Sequence, residues 1–179
     1  MPRDLPIGNG RLMVAFDRDY SMRELFYPHV GQENHVFGRF CRLGIWVDQQ
    51  FSWVGPDWQK RLRYLTDTMV TEVTLFHPGL EIQLHCHDAV DFHENVYVKE
   101  LTVENMASRK REVRLFSSLD LGISGNDIGD TAGYDPKTRA VIHYKGARYL
   151  LASGLGSDSS GLSQYAVGQK GMAGMEGTF

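Results

Sequence analysis

The sequence predicts an all-β protein, a single antiparallel β-sandwich of about ten to twelve strands, and three observations predict it. Glycine supplies 19 of 179 residues, above the roughly 7% usual in globular chains. Aromatic residues reach 11%, a pairing with glycine that suits short strands joined by tight turns. Nowhere does an apolar stripe at i, i+3, i+4, i+7 persist for three helical turns, and the stretch Gln59 to Leu65 is the one short helix candidate.

The strands follow in order. Leu12 to Phe16 and Met22 to Tyr27 flank the polar turn Asp17-Arg18-Asp19. Ile45 to Val47 and Phe51 to Val54 flank Asp48-Gln49-Gln50, where a glycine would be the usual turn residue. Met69 to Phe76 is β-branched and half-alternating, and His77-Pro78-Gly79 turns it into Glu81 to His87. Val96 to Glu104 is the longest strand, and Glu112 to Phe116 returns after a polar turn. Ala140 to Tyr144, Arg148 to Leu151 and Ser163 to Val167 complete the series. The intervening Gly125 to Pro136, rich in Asp, Asn and Gly, reads as a turn-rich connection.

A net charge of −3 with 23% charged and 42% hydrophobic residues excludes a disordered chain and gives no electrostatic reason for nucleic acid or an anionic membrane as a partner. The longest apolar runs fall far short of the ~18 residues that span a bilayer. Cys41 and Cys86 form no CxxC and no disulfide framework, so both read as buried small hydrophobes of a cytoplasmic protein.

Few constellations carry chemistry. His85 and His87 share one strand face, and His77, Asp88 and His93 lie near in sequence. The spacing matches no closed zinc motif, so no metal is assigned. The 125–136 segment lacks the alternate ligand spacing of a calcium loop. No Gly-x-Ser-x-Gly elbow occurs, and Gly8-Asn9-Gly10 precedes a strand, so neither a serine nucleophile nor a phosphate cradle is indicated. Glu24 with Glu33, or Asp88 with Asp91, are carboxylate pairs whose separation sequence alone does not set. Aromatic residues crowd the first third, and alternation predicts core packing for at least two of Trp46, Trp53 and Trp58. An exposed ring at Trp53 or Trp58 would stack on a sugar.

The chain resembles the N-terminal domain of bacterial and archaeal glycoside hydrolase family 15 proteins, the glucoamylase-like and trehalase-like enzymes. The residues that carry the resemblance are Leu5 to Gly10, Phe26 to His35, Gly44 to Asp48, Asp88 to Val96, Arg111 to Phe116, Gly129 to Ala132 and His143 to Gly146, in collinear order. It implies an antiparallel super-β-sandwich of the galactose-mutarotase-like type over residues 1–179, incomplete at its C-terminal end. In such enzymes the sandwich precedes an (α/α)6 barrel. That barrel hydrolyses α-glucosidic bonds with inversion, using a glutamic acid and a glutamate roughly 6.5–9.5 Å apart. No segment here corresponds to the barrel, so no catalytic residue and no cofactor is assigned.

The resemblance implies a supporting role, with the barrel as partner and an α-glucan or trehalose as the substrate. The polar, aromatic loop from Tyr27 to His35 has the composition of a functional loop. It places Tyr27, Gln32, Asn34 and His35 at the border of the substrate pocket. A stand-alone carbohydrate-binding module, through Trp53 or Trp58, is the alternative. Self-association into a homo-oligomer through open sheet edges is a third reading.

Overall fold

The computed structural model describes residues 5–39, 41–126, 128–156 and 161–168. The chain forms two compact units, Met1–Gly125 and Asn126–Phe179. Every strand pairing is antiparallel.

The first unit contains β1 (Leu5–Gly8), β2 (Met13–Phe16), β3 (Met22–Phe26), β4 (Cys41–Val47), β5 (Gln50–Trp53), β6 (Gln59–Tyr64), β7 (Thr71–His77), β8 (Ile82–Val90), β9 (Tyr97–Asn105) and β10 (Val113–Leu119). One sheet runs β1-β2-β3-β4-β10 with β5 also on β4, and the other runs β6-β7-β8-β9. Alternation aims Leu43, Ile45 and Val47 from the first sheet, and Val73, Leu75, Ile82, Leu84 and Cys86 from the second, into one shared core. Both cysteines are buried and neither forms a disulfide. The second unit holds a three-stranded sheet, β11 (Thr131–Asp135), β12 (Ala140–Lys145) and β13 (Arg148–Ala152).

Four expectations are corrected. Gln59–Tyr64 is strand β6 rather than a helical turn. Its alternation is disguised because one inward position is Lys60, whose ammonium reaches out to the Gly55 carbonyl (2.6 Å) and Asp19 (2.9 Å). Thr131–Asp135 is a strand, although its polar composition reads as a turn; five paired positions with β12 decide the matter. Ser163 to Val167 has no ladder partner among the described residues and is not a strand; Tyr165 instead stacks on Tyr134 at 4.1 Å. Only Trp58 of the three tryptophans is in the core. Because β4 turns Leu43, Ile45 and Val47 inward, Trp46 and its neighbours Phe51 and Trp53 fall on the outer face.

Gly44 matters there, since a Cβ at this position would come within 2.6 Å of Phe51 and 2.9 Å of Trp53, whose rings lie across it. The β4–β5 hairpin turns on two residues, Asp48 (φ 51°) and Gln49 (φ 62°), the doubly left-handed turn that favours Asn-Gly. Asp48 is held by Arg109 (2.6 Å) and Arg111 (3.3 Å). Partial desolvation opposes its ionisation, but these guanidiniums keep its carboxyl below the usual range.

At the seam of the sheets sits Asp88, with 0% exposure. Its Oδ2 accepts from the hydroxyls of Tyr20 (2.5 Å) and Thr71 (2.7 Å). Its Oδ1 accepts from Tyr97 (2.5 Å) and pairs with the Lys99 ammonium (2.6 Å). The Asp88 amide donates back to Thr71 Oγ1 at 2.9 Å. Lys99 also contacts the Tyr20 hydroxyl and lies 4.1 Å from the centroid of its ring. Burial first, and the Asp88 charge second, push the Tyr97 phenol far above its ordinary value; burial raises Tyr20 likewise, and lifts the Cys86 thiol to about 11.

Two outcomes follow for stability. Gln49→Gly relieves a left-handed non-glycine residue and should raise unfolding free energy by about 0.5–1 kcal/mol in a urea titration; an unchanged or lower midpoint would contradict the turn geometry. Protons on Cys86, Tyr20 and Tyr97 are held more tightly in the folded state, so their stabilisation is complete below the unfolded values of 9.0 and 10.0 and is lost as pH rises beyond them. The melting temperature should therefore fall steeply above pH ~9, with a shallower fall in Tyr97→Phe; a flat profile to pH ~11 would refute the coupling.

Candidate functional site

Three connections meet at one end of the first unit. They are the β1–β2 turn at Gly8 to Arg11, the β3–β4 connection from Tyr27 onward, and the β8–β9 turn from Asp91 to Asn95. Together they enclose an open cleft of about 530 Å³ lined by Gly10, Arg11, Tyr27, Pro28, His29, Val30, Gln32 and Asn95. That volume lies within the ~300–1,000 Å³ of small-molecule sites.

The walls are set by side chains that satisfy backbone groups. Asn9 Nδ2 donates to the carbonyls of Asp91 (2.8 Å) and Glu94 (3.0 Å), while its Oδ1 accepts from the amides of Arg11 and Leu12 (3.0 Å each). One asparagine thus joins two turns that lie far apart in sequence. Asp91 closes its own turn by accepting from the amides of His93 (2.8 Å) and Glu94 (2.7 Å), bonds that lower its carboxyl from the ordinary value. Asn34 Oδ1 accepts from the amides of Leu25, Val36 and Phe37 at 3.3, 3.0 and 3.3 Å. His35, at 0% exposure, bonds the Tyr27 carbonyl through Nε2 at 2.6 Å and accepts from the Ser124 amide at 3.3 Å. The Tyr27–Pro28 peptide is cis.

These contacts divide the four loop residues named from the sequence. Tyr27 and Gln32 line the cleft, whereas Asn34 and His35 hold the loop from behind and do not face it. The reason is chemical: a short amide and a buried imidazole are the side chains able to satisfy several backbone groups of an irregular loop. Arg11 and Asn95 also line the cleft and escaped the sequence reading, because each belongs to a different turn and only the fold unites them with the loop; His29 lines it from within the Tyr27 to His35 loop. Among the described residues, the side chains of Arg11, Tyr27, His29, Gln32 and Asn95 have no hydrogen-bond or ion-pair partner.

The other candidates fall elsewhere. Trp58, 3% exposed, donates from Nε1 to Ser52 Oγ (3.1 Å) and meets His77 edge-on, so it offers no ring face to a sugar. Trp53 is half-buried, with the Arg42 guanidinium 4.5 Å over its ring and Phe51 against its side. His85 and His87 do share the outer face of β8, yet they pair with Glu104 (3.2 Å) and Glu100 (3.5 Å), while His77 Nδ1 accepts from the Leu80 amide (3.1 Å). No group of three or more His, Cys, Asp or Glu among the described residues could hold a metal ion. Asp88 and Asp91 are both committed to structural bonds. No helix among the described residues is long and apolar enough to cross a membrane.

Comparison with known proteins gives one informative likeness. The chain is 27% identical over 153 residues, 85% of its length, to a protein of Methanocaldococcus jannaschii named an uncharacterized glycosyl hydrolase. It spans 23% of that protein's length. No family model and no solved structure matches. The chain is therefore related to a glycosyl hydrolase, with a β-sandwich-like fold.

The division between walls and lining is measurable. His35→Ala removes a fully enclosed ring and its two bonds, and should cost about 2–4 kcal/mol in urea unfolding. Gln32→Ala should stay within about 0.5 kcal/mol of the parent. Equal costs would remove the distinction.

Proposed function

We propose that the chain is the non-catalytic N-terminal domain of a glycoside hydrolase family 15 enzyme, glucoamylase-like or trehalase-like, that cleaves α-glucosidic bonds with inversion. The cleft at the three turns borders the sugar pocket, and an (α/α)6 barrel elsewhere in the longer protein supplies the two glutamates. The single observation that carries this reading is the cleft itself, where five polar side chains with no internal partner converge on walls fixed by Asn9, Asn34 and His35. Such groups are what a polyhydroxylated ligand needs, because each hydroxyl both donates and accepts.

Two further facts support it. The likeness to a glycosyl hydrolase covers 85% of the chain but 23% of the relative, the proportion expected of one domain in a larger enzyme. Three segments that carry the family resemblance, Leu5 to Gly10, Phe26 to His35 and Asp88 to Val96, are the ones that meet at the cleft. The chain's part in the reaction is to orient substrate: Arg11, Gln32 and Asn95 offer N–H donors, and Tyr27 offers a hydroxyl and a ring face.

In an enzyme joining this chain to its barrel, Arg11→Ala and Gln32→Ala should each lower kcat/KM on maltooligosaccharide or trehalose about tenfold, mostly through KM. Unchanged kinetics in both variants would discard the pocket-border role.

A further inference from the structure

The margins of the two sheets in the first unit are defended unequally. Strand β1 carries Pro6, which has no amide to offer an added strand. Strand β5 is four residues long. Strands β6 and β9 each turn a lysine inward, Lys60 opposite Leu75 and Lys99 opposite Asp88. Their outer faces carry further charge, Arg61 and Arg63 on β6 and Glu100 and Glu104 on β9. Proline, shortness and inward-pointing charge are the devices by which sheets discourage the addition of a strand.

Strand β10 has none of them. Its seven residues, Val113 to Leu119, include no proline and no glycine. They pair with β4 in unbroken register, and the other side of β10 pairs with no strand among the described residues. Its one charged residue, Arg114, lies on the outer face, 4.8 Å from the Trp46 ring centroid and bonded to Glu112 at 2.7 Å. On the inward face Leu115 and Leu119 stand opposite Ile45 and Cys41. Those partners are 0% and 3% exposed, whereas Leu115 and Leu119 are 47% and 45% exposed. Phe116, on the outer face, is 40% exposed. The shared core thus covers β4 and stops short of β10, which leaves one strand with backbone and apolar side chains uncovered together.

We propose that β10 pairs with the β10 of a second copy of this chain, antiparallel about a two-fold axis at Phe116, so that two first sheets become one continuous sheet. The inference is independent of any ligand of the cleft. A row of amides and carbonyls without ladder partners calls for a strand as its occupant, and the residues of β10 suit that strand to be itself. Centring on the middle residue is the antiparallel register that pairs the whole of Val113 to Leu119 with its counterpart. It sets Val113 against Leu119, Arg114 against Ser118, Leu115 against Ser117, and Phe116 against the Phe116 of the other copy. Apolar side chains then meet at both ends, two aromatic rings meet at the axis, and each arginine faces a hydroxyl, so no like charges oppose one another. An isologous contact of this kind closes on itself and yields a dimer rather than a fibre.

The test is sedimentation velocity of the 179-residue protein over a dilution series. The parent should sediment at twice the chain mass and dissociate on dilution. Phe116→Lys and Phe116→Glu each set like charges face to face at the axis, and each should weaken the dimer at least about tenfold. An equimolar mixture of the two variants should recover a dimer containing one of each, because lysine then faces glutamate. That recovery distinguishes lost pairing from lost folding, since mixing does not rescue a misfolded chain. A parent that stays monomeric at every concentration overturns the proposal and leaves the edge to a strand of some other chain or segment. A parent that grows past the dimer overturns it as well. So does a dimer that survives either substitution, or a mixture that stays monomeric.

Discussion

A carboxylate without solvent exposure must be answered on every lone pair, and the way Asp88 is answered organises the first unit. Four donors meet it: Tyr20 from the β2–β3 turn, Thr71 from β7, and Tyr97 and Lys99 from β9. They come from both sheets, so the polar seam fixes how one sheet lies over the other in a way that interchangeable aliphatic contacts do not. The flanking core of Val14, Phe16, Leu84 and Cys86 is undirected by comparison. Removing one donor leaves the others bonded, whereas removing the carboxylate strands a lysine whose side chain is 20% exposed.

The same logic, transferred from core to loops, makes the cleft. Irregular backbone carries amides and carbonyls that no ladder satisfies, and Asn9, Asn34 and His35 take up that task in three connections. Because these residues meet the backbone's needs, the residues beside them are released from it. Arg11, Gln32 and Asn95 project from a supported frame at the corner where the three connections meet.

What the sequence makes legible is what depends on neighbours along the chain. The β7–β8 hairpin and the opposite faces of His85 and Cys86 follow from period-two alternation around Pro78-Gly79. Where a polar residue occupies an inward position, as Lys60 does in β6, the alternation is hidden. Short strand β1 is hidden for another reason: Pro6 and Gly8 read as loop, and an edge position is where a sheet tolerates them. The loop from Tyr27 to His35 is legible as special, but its division into supports and lining is not, since Asn34 and Gln32 differ only in what the fold brings near them. Arg11 and Asn95, 84 positions apart, carry no shared local signal (95 − 11).

Pro6 has one more consequence. Strand β1 is the outer strand of its sheet, and outer strands ordinarily offer a row of free amides and carbonyls to any passing chain. At Pro6 there is no amide to offer, and the carbonyl is already taken by the Tyr64 hydroxyl. At Pro6 the margin of the sheet thus offers neither donor nor acceptor to an added strand. A chain approaching the strand at Pro6 meets a pyrrolidine ring and an occupied carbonyl rather than bare backbone.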